Sequence, residues 1–334
     1  LISRIYSLYF SKPRDDKFLL TLDCIPRYHM NARTPEDVMS ELNELIGLEA
    51  VKREFQNIYK MRLMKLDGSA KPRYHMLFTG NPGTGKTTVA QMAADLLFGM
   101  NVIKTNKLVT AKPSDLISEY VGTTGSKTLE VIKRAYDGVL FIDEAYGLAN
   151  TERGRGAEAI NVLIQEMENH SDKLVVIFAG YQAQMHELLK TNPGIASRIG
   201  KEIVFEDYSL EQLVEIFHHL CRKECFVLDP SATSNLEDCI SSRMNQEFFG
   251  NAREMGTLLQ SLKEAWSEEH FVNDPRPEDK PPERVFLPSH FERIMPPRQR
   301  TGLQDLVGLE TLKKKLEAFK KQVAYQKHIR SMGI

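Results

Sequence analysis

The chain has 334 residues, a formal net charge of -1, and 42% apolar against 27% charged residues, which is room for more than one domain with a substantial core. That near-neutral balance excludes a global positive field of the kind that draws in nucleic acid, while leaving room for a local basic patch. The apolar runs are too short to span a membrane, and four cysteines without a disulfide framework suit a reducing intracellular compartment, the cytoplasm first, with an organelle or the nucleus as alternatives.

Residues 1–33 form an N-terminal segment of unclear role, too broken for a signal peptide. Because the chain begins at Leu1 and stops just after a helical pattern, it is expected to be a piece of something longer. From Thr34, the run "TPEDVMSELNELIGLEAVKREFQNIYKMRLMKL" predicts a helix, a break at Gly47 and a second helix, with Thr34 as N-cap before Pro35, Glu36 and Asp37. Short β-rich runs then alternate with amphipathic stretches, with strands predicted at 75–79, 107–110, 138–142, 174–179 and 202–205. This is an α/β domain on a largely parallel sheet, spanning 34–206. Past Asp207 the β-rich runs vanish, and 207–272 is expected to be a small all-α domain. Residues 273–302 hold seven prolines and many charges, and are expected to be a linker with little regular structure. The stretch "DLVGLETLKKKL" at 305–316 echoes "ELIGLEAVKREF" at 44–55, so 303–334 is expected to open a second, truncated module.

The chemistry begins at "MLFTGNPGTGKTTVAQM", residues 76–92. A β-prone run leads into a glycine-bearing turn and then a helix. Gly80, Gly83 and Gly85 permit a tight loop, built with Asn81, Pro82, Thr84 and Thr88, whose backbone N–H groups can face phosphate oxygens. Lys86 would reach the β- and γ-phosphates of ATP, and the Thr87 hydroxyl would hold Mg²⁺. The third strand ends in "GVLFIDEAYGLA", where Asp143 can position Mg²⁺ through water and Glu144 can orient and deprotonate the attacking water. Together with the phosphate loop, the Asp-Glu pair signals hydrolysis in addition to binding. In "FHHLCRKECFVL", His218, Cys221 and Cys225 raise a metal site as one alternative and a core-facing helix with buried cysteines as the other.

These motifs resemble those of AAA+ ATPases, and within them the CbbX/CfxQ group, which includes red-type Rubisco activases and the sporulation protein SpoVK. The resemblance rests on "HMLFTGNPGTGKTTVA", "LISEYVGTTGSKT", "GVLFIDEAYGL", "EAINVLIQEMENHSDKLVVIFAGY", "NPGIASRIGKEIVFEDYSLEQL" and "FGNAREM", in order across most of 42–270. It implies a P-loop NTPase fold with a five-stranded parallel sheet and a small all-α lid. It implies that Arg198 is an arginine finger acting in a neighbouring subunit and that Arg253 is a second sensor reaching the phosphates. Ile46 and Gly47 would line the adenine pocket, and Tyr120, Val121 and Gly122 would form a pore loop gripping a polypeptide. The first sensor is open among Gly180, Tyr181 and Gln182. "NAREMGTLLQ" lacks a further arginine usual in the close family, which, with the apparent tandem repeat, tells against a Rubisco activase specifically.

The resemblance implies a homo-oligomer, a hexameric ring that remodels protein substrates through its central pore, with no membrane role. A nucleic-acid-handling motor is the first alternative; the mixed charge of "AKPSDLISEYVGTTGSK" speaks against it. A nucleotide-gated scaffold is the second, and it has no need of Glu144.

Overall fold

The computed structural model describes residues 33–64, 73–120, 122–149, 154–246, 249–270 and 284–295. Residues 1–32, the segment 303–334 with its expected second module, and Val121 of the expected pore loop lie outside the described residues. Contacts divide the chain into two units: the first runs to Glu224 and takes up Ile240–Leu259, and the second holds Cys225–Cys239 and continues from Gln260.

The first unit opens with α1 (Pro35–Glu44), whose N-terminus is closed by a reciprocal capping box. The Asp37 N–H donates to the Thr34 hydroxyl at 3.1 Å and the Thr34 N–H donates to the Asp37 carboxylate at 2.9 Å. The chain continues through α2 (Glu49–Leu63), β1 (Met76–Gly80), α3 (Lys86–Gly99), β2 (Leu108–Ala111), the one-turn α4 (Pro113–Leu116) and α5 (Thr124–Ala135). It then forms β3 (Gly138–Ile142), a 3₁₀ turn (Ala145–Leu148), α6 (Arg155–Asn169), β4 (Leu174–Gly180), α7 (Gln182–Thr191), the short α8 (Pro193–Ala196), β5 (Lys201–Phe205) and α9 (Leu210–Lys223).

The five strands form one parallel sheet in the order β2-β3-β4-β1-β5. Strand alternation sends Met76, Phe78, Phe141, Ile177 and Phe205 to one buried layer with α1–α3, and Leu77, Leu140, Val176 and Phe178 to a second with α5–α7. A sheet buried on both faces explains why its strands read as continuous apolar runs. Burying each such side chain contributes about 1.5–3 kcal/mol. The predicted strands match within a residue or so of the observed ones. In the order β3-β4-β1, the carboxyl ends of three neighbouring strands bring Asp143, Gly180 and Gly80 to one edge, where ligands bind open α/β sheets.

The remaining helices are α10 (Thr233–Met244) and α11 (Ala252–His270), which have residues in both units. Within the second unit two expectations are corrected. The segment after Asp207 is not purely helical, because β6 (Val227–Leu228) pairs in parallel with β7 (Val285–Phe286). And the linker expected over 273–302 is structured at its centre, since β7 is followed by α12 (Pro288–Ile294). The reason is apolar burial: Phe286 and Phe291 are fully buried, and the Phe286 ring stacks on Phe226 at a centroid distance of 4.6 Å. Pro288 sits in the first turn of α12, where proline favours a helix. Among the described residues no helix is long and apolar enough to cross a membrane.

Candidate active site

The loop between β1 and α3 takes its shape from its glycines. Gly80, Gly83 and Gly85 have φ of 154°, 71° and 93°, values that side chains rarely adopt. A Cβ on Gly83 would lie 1.9 Å from the Gly250 carbonyl oxygen, and one on Gly80 would lie 2.3 Å from that of Phe205. The loop is therefore pressed between the end of β5 and the approach to α11. Thr84, fully buried, ties it internally by donating its hydroxyl proton to the Asn81 carbonyl at 2.8 Å.

Lys86, at the start of α3, donates to the carbonyls of Gly80 at 2.8 Å and Asn81 at 2.7 Å, so its ammonium spans the mouth of the loop. Burial pushes its pKa below the ordinary lysine value, and the Asp143 carboxylate counters part of that shift. Glu144 has left-handed backbone (φ 52°), an uncommon conformation for a non-glycine residue and one that clusters at functional sites. Its N–H donates to the Asp143 carboxylate at 3.1 Å.

One cavity of about 480 Å³ collects ten of the expected residues: Gly80, Pro82, Gly83, Gly85, Lys86, Thr87, Thr88, Asp143, Glu144 and Arg253. A phosphate-binding loop, a cation, two carboxylates and an arginine thus share one space. Mg²⁺ fits this donor set. Among the described residues no group of three or more His, Cys, Asp and Glu is arranged to hold a metal ion by itself. One hydroxyl (Thr87) and one carboxylate (Asp143) would be the few protein donors Mg²⁺ needs where phosphates and water complete its shell. Cys221 is buried, its thiol pushed up to about 12 by burial, while Cys225 is exposed.

Other expected residues stand outside the cavity lining. Ile46 and Gly47 belong to a turn beside the loop. A Cβ on Gly47 would meet the Gln212 side chain at 2.9 Å, and the Leu48 side chain lies 3.7 Å from where a Gly85 Cβ would stand. Arg198 follows α8, donates to the Gly194 carbonyl at 2.9 Å and pairs with Glu168 at 3.0 Å. Of the three first-sensor candidates, Gly180 and Tyr181 line the cavity and Gln182 does not. Tyr120 is 76% exposed, and Gly122 has φ 80° with open space around it. The loop carrying Tyr120 is nonetheless braced at its base, because Arg155 donates to the carbonyls of Ser118 and Glu119 at 3.2 and 3.3 Å.

Sequence reasoning missed the residue that knits the site together. Asn251 is fully buried with left-handed backbone (φ 48°). Its amide donates to the Pro82 carbonyl at 3.2 Å and to Asp207 at 2.8 Å, and its carbonyl accepts from the Tyr208 N–H at 3.1 Å. Asp207 also accepts from the Asn81 amide at 2.9 Å, and the Ala252 N–H donates to the Gly83 carbonyl. The phosphate loop, the end of β5 and the first turn of α11 are thereby one hydrogen-bonded unit that sets Arg253 on the cavity wall. The signal was present in "GNAR", where an Asn after Gly tolerates left-handed backbone, but the motif was read for its arginine alone.

Comparison with known proteins agrees with this geometry. Residues 76–207 match the model of the ATPase family associated with various cellular activities (AAA), and 209–285 match an AAA lid domain. The chain is 43% identical over 233 residues to the chloroplastic ribulose bisphosphate carboxylase/oxygenase activase of Cyanidioschyzon merolae, covering 67% of this chain and 80% of that protein. It is 45% identical over 233 residues to protein CbbX of Cereibacter sphaeroides, covering 67% and 75%. It is 44% identical over 236 residues to a CfxQ homologue of Guillardia theta, covering 68% and 80%. In fold it is similar to the Thermotoga maritima RuvB Holliday junction branch migration motor, with a TM-score of 0.53, 17% identity and coverage of 75% of this chain and 70% of that one. With a P-loop site on a five-stranded parallel sheet, an AAA lid match following it in the chain and relatives of this similarity, this chain is an ATP-hydrolysing enzyme and belongs to the CbbX/CfxQ family of AAA+ ATPases.

Proposed function

We propose that the protein is a ring-forming remodeller that uses ATP hydrolysis to pull on protein substrates through a central pore. The observation that carries this is Tyr120: a large aromatic left 76% exposed on a loop whose base Arg155 clamps, two residues before a glycine with open space around it. An exposed tyrosine ring offers apolar area with a polar tip on which a partner can dock, and such a ring can grip extended polypeptide without reading its sequence. A relative named as a ribulose bisphosphate carboxylase/oxygenase activase supports a protein as the substrate class.

In the nucleotide site, loop N–H groups and Lys86 hold the phosphates of ATP, and Glu144 takes the proton of the attacking water. Mg²⁺, held by Thr87 and Asp143, would supply neutralisation of phosphate charge. Ile46 and Gly47 would border the adenine. Arg253 reaches the phosphates from the lid side, while Arg198, outside its own cavity, serves a neighbour's site in a homo-oligomer, a hexameric ring.

The test is ATP turnover of the intact protein with an unfolded polypeptide or with single-stranded DNA, in wild type and Tyr120→Ala. Stimulation by polypeptide is expected in the wild type and not in the variant, with nucleotide binding retained in both. Stimulation by DNA alone, falling steeply with salt, would replace this proposal with a nucleic-acid motor, and no response to either would favour a scaffold.

A further inference from the structure

The hydrolytic end of the cavity contains two phenols, one a first-sensor candidate (Tyr181) and one to which no motif gives a role (Tyr146). Tyr146, on the 3₁₀ turn directly after Glu144, and Tyr181, directly after β4, both line the cavity beside Glu144. Their rings lie tilted by 43° at a centroid distance of 5.9 Å. Tyr146 sits where it does because of Gly180. A Cβ on Gly180 would lie 2.8 Å from Tyr146 Cδ1 and 2.8 Å from Met185 Sδ, closer than real Cβ atoms approach. The end of β4 is therefore bare of side chain, and the Tyr146 ring rests on it. The Glu144 carboxylate, in contrast, is exposed, and the hydrogen bond made by Glu144 next to the cavity is from its backbone N–H, not its side chain.

We propose that Tyr146 is a positioning residue for hydrolysis: seated on Gly180 and flanked by Tyr181, it presents a neutral phenol to the Glu144 carboxylate and keeps that carboxylate turned into the cavity. Burial and then the Glu144 charge raise the phenol's pKa above that of free tyrosine. It therefore remains a protonated donor throughout the neutral range, and its contribution does not switch off across ordinary assay pH. A base held in place loses less to misorientation when the reaction begins, so the benefit appears in kcat and not in ATP binding.

The experiment compares the full chain with Tyr146→Phe, Gly180→Ala, the double variant and Glu144→Gln. Phenylalanine keeps the ring on Gly180 and removes only the hydroxyl, so a role limited to packing predicts no change. Tyr146→Phe is expected to lower kcat roughly fivefold to twentyfold, the size of one well-placed hydrogen bond, with Kd for a fluorescent ATP analogue within about twofold of wild type. Gly180→Ala displaces the ring and is expected to show the same kcat loss. The double variant is expected to be no slower than the worse single variant, because both act through one group. Without nucleotide, the Tyr146 phenol titration, followed by its ring carbon resonance, is expected to move towards the free-tyrosine value in Glu144→Gln. A Tyr146→Phe kcat equal to wild type, with Glu144→Gln inactive, overturns this proposal alone. An unmoved Tyr146 titration in Glu144→Gln overturns it as well. A fully active Glu144→Gln removes both this proposal and the assignment of Glu144 as base.

Discussion

Replacing Asn251 with alanine isolates the joint between the phosphate loop and the first turn of α11. The substitution removes the part-buried bond to the Pro82 carbonyl, the buried bond from the Tyr208 N–H, and the charge-assisted bond to Asp207. The two neutral bonds contribute about 1 kcal/mol each. The Asp207 bond falls below the range for buried charged groups, to about 1 kcal/mol, because Asp207 is exposed and water and Asn81 can still serve it. Alanine must also hold a φ of 48°, which adds about 1 kcal/mol. The expected loss is therefore about 3–4 kcal/mol, a large share of the roughly 5–15 kcal/mol that holds a typical domain folded. Asn251→Gly loses the same bonds without the backbone strain, so it should be about 1 kcal/mol more stable than Asn251→Ala. Denaturant unfolding of wild type and both variants measures this, and titration with a fluorescent nucleotide should show about a tenfold weaker Kd in each as the loop loses its anchor at Pro82. An alanine variant within about 1 kcal/mol of wild type, or equal to the glycine variant, would refute the reasoning.

Three further outcomes are expected. Glu144→Gln should keep ATP binding and abolish turnover, because an amide cannot accept the water's proton; wild-type rates in the purified variant would remove Glu144 from the mechanism. Arg198→Ala should hydrolyse slowly on its own, since a finger adds roughly 10³–10⁵ in comparable systems, and mixing it with Glu144→Gln under subunit exchange should restore activity at interfaces that pair an intact glutamate with an intact arginine. No recovery from two co-assembling, ATP-binding variants would rule out the trans-acting role. His75 is buried, accepts the Val176 N–H at 3.0 Å, and has its pKa lowered by burial from 6.5 to about 4. The unfolded chain binds more protons in that window, so stability present above pH 6.5 should fall by up to about 3 kcal/mol as pH drops towards 4. His75→Gln should flatten that limb in pH-dependent unfolding, and an unchanged acid limb would exclude His75 as its source.

The sequence alone determined what depends on near neighbours in the chain. Glycine spacing, Lys86, Thr87 and the Asp143–Glu144 pair at a strand end were legible because covalent proximity builds those parts. Strands buried on both faces were legible as apolar runs for the same local reason. Tertiary structure decided what requires chain segments far apart to meet. Asn251 joins Pro82 across 169 residues, and no local pattern marks an asparagine as a tie to a distant loop. Gly180 reads only as one of three first-sensor candidates at a strand end, and that the Tyr146 ring rests on it is seen only in the folded chain. Proline and charge made 284–295 look like linker, yet Phe286 and Phe291 find a buried apolar surface there. Arg198 could be singled out by resemblance, but its pairing with Glu168 outside its own cavity depends on how α6 and α8 pack. Local propensity is written residue by residue; which polar group is buried, and against what, is settled only when the chain closes on itself.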